Sequence, residues 1–155
     1  MQKNLQIVVN PAVVININMK KILVLCTGNS CRSQIAEGYL RYFAGDKAAI
    51  YSAGIETHGV NPKAVVVMKD DGLDISNHTS NNVDEYKNVS FDYVITVCDN
   101  AKEVCPVFPS KAKMFHQNFP DPAKATGTEQ EIMEQFKIVR GMIKAYCKTF
   151  VEENL

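Results

Sequence analysis

The sequence lacks any excess of charge, because its Lys and Arg total of 17 is matched by 17 Asp and Glu across 155 residues. Nucleic acid and anionic membranes are therefore not drawn to it by a broad field, no nucleic-acid partner is expected, and any anion site must be local. An apolar run long enough to span a bilayer is also missing. The stretch 1–18 is broken by Asn10 and Pro11 and is too short to serve as a membrane anchor. After Met19 there is no internal repeat, low-complexity tract or linker to a second domain. His58, His78 and His116 share no metal-binding spacing, and each is expected to be a hydrogen-bonded structural residue. Zinc-knuckle spacing is absent too, because neither Cys26 with Cys31 nor Cys98 with Cys105 is separated by the usual interval. The five cysteines form an odd set without a convincing signal peptide, which points to a reducing compartment, the cytoplasm, where thiols serve chemistry.

The expected organisation is one domain over 19–155, monomeric, preceded by an extension over 1–18 of unknown role. Within that extension Val14 to Asn18 alternates apolar and polar residues, a pattern able to add a strand at an exposed sheet edge. Ile22 to Leu25 is an unbroken apolar run of the kind buried on both faces. From Ser33, residues Ile35, Ala36, Tyr39, Leu40 and Phe43 recur at helical spacing. A second strand is expected over Ala48 to Ala53, then a helix opened by Asn61-Pro62 and closed by Gly72. Phe91 to Val97 reads as a third strand and Lys113 to His116 as a fourth, with a short helix between Thr79 and Tyr86. Thr128-Glu129-Gln130-Glu131 has capping-box form, and Ile132, Phe136, Val139, Ile143, Tyr146 and Phe150 follow along one helical face. The alternation implies an α/β fold, a three-layer αβα sandwich on a four-stranded parallel sheet. Its ligand sites should lie beyond the C-terminal ends of the strands.

One such end carries Cys26-Thr27-Gly28-Asn29-Ser30-Cys31-Arg32-Ser33: a thiol, a tight loop, then arginine and serine at a helix start. Backbone N–H groups of Thr27, Gly28, Asn29, Ser30 and Cys31 can turn inward as a nest for a tetrahedral oxyanion. The helix N-terminus adds positive potential, and Arg32 offers a bidentate fork. The same field stabilises a thiolate, so Cys26 should titrate below the roughly 8.5 of a free cysteine and act as a nucleophile, with the Ser33 hydroxyl donating to its sulfur. Cys31 reads as a packing or loop residue and Cys147 as an unpartnered helix residue.

A Cys-x5-Arg-Ser loop after the first core strand resembles the signature of the low-molecular-weight protein tyrosine phosphatases and of the arsenate reductases that share their fold. Asp121-Pro122 resembles that family's aspartate loop, whose Asp is the general acid. The segment Cys98 to Pro106, with Cys105 inside it, resembles the redox segment of thioredoxin-coupled arsenate reductases. The runs Tyr51 to Ala64 and Asp74 to Ser80 are similar to the same subgroup. The resemblance implies arsenate or phosphate as the bound oxyanion, thioredoxin as reductant, and no tightly bound cofactor. In the chemistry it implies, Cys26 attacks arsenate held by Arg32 while Asp121 protonates the departing oxygen. Cys98 then attacks Cys26 and releases arsenite, and Cys105 takes over the disulfide. It also implies a potassium site at Asn29, Glu37 and Ser52, weakened because Asn81 stands where an acid is expected after Thr79-Ser80.

An alternative is a phosphatase for phosphotyrosine or small esters using Cys26, Arg32 and Asp121, although Gly54 to Pro62 offers no aromatic wall and the aspartate loop only Phe119. A thiol sensor that never turns over is a third reading. If Cys98 to Cys105 were helical, seven steps of about 1.5 Å would hold the Cα atoms roughly 10 Å apart. A disulfide tolerates less than about 7 Å, so this segment must rearrange on oxidation. Amide hydrogen exchange across 98–105 should therefore differ between the reduced and oxidised protein. Identical exchange would refute the rearrangement.

Overall fold

The apolar run Ile22 to Leu25 is wholly buried, every residue at 0% exposure, as expected for a strand covered on both faces. The computed structural model describes residues 6–10, 13–16, 19–99 and 108–155, the first two stretches as backbone alone. In chain order the elements are β1 (Gln6–Asn10), β2 (Val13–Asn16), β3 (Lys20–Cys26), α1 (Arg32–Ala44), β4 (Ala48–Gly54), α2 (Pro62–Asp70), β5 (Tyr93–Thr96), β6 (Lys113–His116) and α3 (Glu129–Asn154). Short 3-10 turns occupy Gly45–Lys47, Val83–Tyr86 and Pro122–Lys124.

The main sheet is parallel throughout, in the order β4-β3-β5-β6. The chain leaves β3 for β4 on one side and later crosses to β5 on the other. The connections therefore diverge at the C-terminal end of β3, which opens a crevice there. Alternate residues of β3 face opposite layers. Ile22, Val24 and Cys26 join a core built with α1, α2 and α3. Leu23 and Leu25 pack instead with Ala53, Phe91, Val94 and Phe108, with Val83, Tyr86 and Val89 at the edge of that cluster. Among the described residues this second outer layer is a 3-10 turn and flanking loop rather than a long helix.

The alternating stretch from Val14, able to add a strand at an exposed edge, falls on β2, which pairs antiparallel with β1, Ile7 opposite Ile15, and not with the edge of the main sheet. A neighbour reached through a short connection closes at lower entropy than a distant edge. The helix expected over Thr79 to Tyr86 shrinks to the 3-10 turn, because residue 81 is committed elsewhere: its carbonyl accepts Gly54 N–H (2.9 Å) and its own N–H donates to Asn29 Oδ1 (2.7 Å). Asn82 then starts the turn with a capping box to Glu85. Residues 100–107, which include Cys105 and most of the Cys98–Cys105 segment, lie outside the described residues.

Helix ends follow their chemistry. Asn61 Oδ1 caps α2 by accepting Lys63 N–H at 2.8 Å, with Pro62 at the first helical position. The same helix ends where Gly72 adopts φ +83°. Its N–H bonds Lys69 O and that of Leu73 bonds Met68 O, the paired closure of a Schellman motif. Asp71 sits at this end and joins all three helices, its Oδ2 accepting Tyr39 Oη–H (2.7 Å) from α1 and a Lys144 Nζ–H (2.8 Å) from α3. The Lys144 ammonium, followed by the Tyr39 hydroxyl, holds the Asp71 carboxyl below its ordinary 3.8. A depressed folded-state value means that the stabilisation is present above the unfolded pKa and lost as pH falls through the folded one. Asp71→Asn should therefore lower the urea midpoint at neutral pH, and its gap from the parent should narrow in measurements below about pH 4.

Candidate active site

Cys26 closes β3 at 3% exposure, and the chain then turns through Thr27 to Cys31 before α1 begins. The loop's carbonyls all have donors. Thr27 O accepts Glu56 N–H (3.0 Å), Gly28 O accepts His58 N–H (3.1 Å), Ser30 O accepts Asn61 N–H (2.9 Å) and Cys31 O accepts Ile35 N–H (2.9 Å). Asn29 O accepts Gln34 Nε2–H at 3.0 Å. A trans peptide carries its N–H opposite its C=O, so pulling these carbonyls outward aims the following amides inward. This makes the nest expected of an oxyanion site. The first turn of α1 has no side-chain cap and no acidic residue, so its positive end also faces the loop.

Two backbone features make the turn feasible. Asn29 takes φ 47°, and its side chain holds it there: Nδ2 donates to Ser33 Oγ (2.8 Å) and Ser52 Oγ (3.0 Å), while Oδ1 accepts Asn81 N–H. Gly54 lies so close that an added Cβ would stand 2.6 Å from Thr27 O and 2.8 Å from Asn29 N. Arg32, 3% exposed, donates through Nη1 to Phe119 O (3.2 Å) and places Nη2 3.6 Å from Asp121 Oδ2. Asp121 Oδ1 caps the following 3-10 turn by accepting Ala123 N–H at 3.0 Å. The arginine and the aspartate thus meet at one cavity of about 270 Å³, lined also by Cys26, Thr27, Gly28, Ser30, Cys31, His58, Ala123 and Lys124.

Cys26 and Cys98 belong to the same buried cluster. Cys26 ends β3, and Cys98 follows the adjacent β5, whose continuation is fastened by Val97 N–H to Leu25 O (3.0 Å). Cys98 is disulfide-bonded, whereas Cys26, Cys31 and Cys147 form no disulfide. Burial, reinforced by the Asp121 charge, pushes the Cys31 thiol up despite the opposing pull of Arg32, and burial alone raises Cys147. Both are poor nucleophiles.

The expected potassium residues do come together: Ser52 Oγ–H donates to Glu37 Oε1 (2.7 Å) and accepts from Asn29. Their oxygens are already engaged. Glu37 Oε2 accepts Arg41 Nε–H (3.1 Å), and His78 Nδ1 stands 3.2 Å from it. Burial holds His78 below the usual imidazole range against the opposing pull of Glu37. With an arginine supplying the positive charge and Asn81 in place of a carboxylate, the cluster does not fit a hard cation. Among the described residues no group of three or more His, Cys, Asp or Glu could hold a metal.

The sequence pattern did not single out Gln34 or Lys124, and it read His58 as a hydrogen-bonded structural residue. Gln34 is fully buried and also donates to Thr79 O (2.9 Å); its signal was a polar residue on the inward face of α1. His116 contacts Thr96 and Asn118, as expected of a structural histidine. His58 instead lines the cavity. Gly54→Ala should displace the loop and cost about 1–3 kcal/mol in urea unfolding, with loss of phosphate protection of Cys26 against alkylation.

The family model for low molecular weight phosphotyrosine protein phosphatase matches residues 21–155. An arsenate reductase of Halalkalibacterium halodurans is 50% identical over 135 residues, covering 87% of this chain and 97% of that protein. One from Bacillus subtilis is 49% identical over 133 residues, covering 86% and 96%. Among solved structures, an arsenate reductase in the phosphate binding state has a TM-score of 0.75 at 30% identity over 87% of this chain and 98% of that one. Vibrio vulnificus Wzb in complex with benzylphosphonate has a TM-score of 0.71 at 22% identity, a likeness of fold, and covers 87% of this chain and 99% of its own. With the amide-lined loop, Arg32 and Asp121 gathered at one cavity and the match running from residue 21 to residue 155, the chain belongs to the low molecular weight phosphotyrosine protein phosphatase family.

Proposed function

We propose that the protein reduces arsenate to arsenite through a relay of Cys26, Cys98 and Cys105 that thioredoxin regenerates. The observation that carries the reading is the common cluster of Cys26 and Cys98 at the ends of neighbouring parallel strands, with Cys98 already engaged in a disulfide and Cys26 outside one. The similarity of about half the aligned residues to proteins named arsenate reductase supports it.

In this mechanism the Cys26 thiolate attacks the arsenic of an arsenate seated in the loop, and Arg32 binds its oxygens. The new As–S bond forms as an arsenic–oxygen bond breaks, and Asp121 donates the proton that lets the oxygen leave as water. The Cys98 thiolate then attacks the Cys26 sulfur. A Cys26–Cys98 disulfide forms, the As–S bond breaks, and its electron pair leaves with arsenic, which departs as arsenite. Cys105 attacks Cys98, frees the Cys26 thiolate and leaves a Cys98–Cys105 disulfide for the thioredoxin dithiol to reduce. Ser33, whose Oγ accepts from Asn29, keeps its hydrogen to donate to the Cys26 sulfur. The reading requires a reducing compartment, the cytoplasm, and no metal in the reaction.

Hydrolysis of phosphate esters through Cys26, Arg32 and Asp121 is the second reading, and weak phosphatase activity accompanies the first. Among the described residues the cavity has no Phe, Tyr or Trp in its lining. Phe119 turns into the core at 2% exposure and stacks edge-on against Tyr146, so it offers no wall to a phosphotyrosine ring. The test is arsenate-dependent oxidation of thioredoxin. Cys26→Ser should abolish it, and Asp121→Asn should slow it by about 10²–10⁴-fold. Cys105→Ser should stop multiple turnover while sparing hydrolysis of small aryl phosphates. Sustained turnover by that variant, or failure of the parent to make arsenite, would overturn the proposal.

A further inference from the structure

Beyond the loop and Asp121, the side chains from other segments that reach the anion cavity include His58. A Cβ built on Gly28 would meet His58 Nδ1 at 2.7 Å and the flanking Cγ and Cε1 at 3.1 and 3.2 Å. The Nδ1 edge of the ring is therefore seated on the loop, in a space that exists because residue 28 has no side chain. The opposite nitrogen, Nε2, lies 2.7 Å from Glu56 Oε2. Both members of the pair are pinned by their own main chain to the same loop, Glu56 N–H to Thr27 O (3.0 Å) and His58 N–H to Gly28 O (3.1 Å). Their side chains remain open to solvent, at 57% and 59% exposure, so neither is there to fill the core.

We propose that His58 is a substrate-binding residue, held through Nε2 by Glu56 and donating from Nδ1–H to an outward-facing oxygen of the bound oxyanion. The inference rests on the reading that this cavity receives arsenate or phosphate. The loop amides and Arg32 approach the anion from beneath. A tetrahedral ion presents a further oxygen toward the mouth, where the ring stands. An imidazolium donates from both nitrogens, so one can serve Glu56 while the other serves the ligand. The Glu56 carboxylate takes up Nε2, which leaves Nδ1 as the ring atom turned to the ligand.

The probe is inorganic phosphate acting on the full, reduced chain, read as the phosphate concentration that halves the rate of Cys26 alkylation by iodoacetamide. That readout needs no arsenate reduction. An absence of arsenite formation with His58-dependent phosphate protection therefore strikes the proposed reaction alone. His58→Leu should raise the half-protecting concentration about tenfold, the loss of one charged hydrogen bond. His58→Asn, whose amide nitrogen reaches the place of Nδ1, should recover part of the protection, and Glu56→Gln should fall between parent and His58→Leu. In arsenate kinetics the same variants should raise KM and leave kcat nearly unchanged. Parental protection in His58→Leu, or equal loss in His58→Leu and His58→Asn, would overturn the assignment.

Discussion

A trans peptide carries C=O and N–H on opposite edges, so a chain presents consecutive amides to an anion only if the matching carbonyls find donors behind them. Between Thr27 and Cys31 each carbonyl has its donor, from the backbone of Glu56, His58, Asn61 and Ile35 and from the Gln34 side chain. Unlike a loop that must gather itself around its ligand, this one has spent little of its ordering entropy on the ligand's arrival. The segment from Glu56 to Asn61 is consequently part of the site although it contributes mostly main chain.

Helix α1 transmits that order to the rest of the fold. Its N-terminus faces the cavity, Gln34 and Glu37 on its next turns hold Asn29 O and Ser52, and Tyr39 further along reaches Asp71. The buried Glu37 is a cost offset only by its partners. Stripping Arg41 or Ser52 away would leave a charge with 6% exposure poorly compensated, which is more damaging than never having had the pair. That is a physical reason for the Arg41 guanidinium to sit against Glu37.

Much of this was legible beforehand. The buried run Ile22 to Leu25, the capping box at Thr128 and the strand Lys113 to His116 lie where local chemistry put them, because each is decided by burial or by hydrogen bonds within a few residues. Cys26, Arg32 and Asp121, each named from its motif, line one cavity. What the pattern could not convey were contacts made across long separations by ordinary residues. Asn81 diverts a would-be helix because its backbone serves Gly54 and Asn29, and His58 reaches the cavity because Gly28 makes room. Neither residue type announces such a role, and neither contact has a fixed spacing to search for. The pairing of β2 with β1 was missed for a related reason: alternation shows that a strand can form, not which neighbour it chooses.

The cradle at residues 27–31 is made of main chain, and main chain has no composition to vary. Point substitutions can collapse it or tilt it, but they cannot give it a preference between two tetrahedral ions of nearly equal size. Under the relay mechanism, phosphate is then an inescapable visitor rather than a rejected one. Selection between the two elements passes to the electron-transfer stage, where arsenic in its higher oxidation state accepts a pair of electrons from sulfur and phosphorus does not.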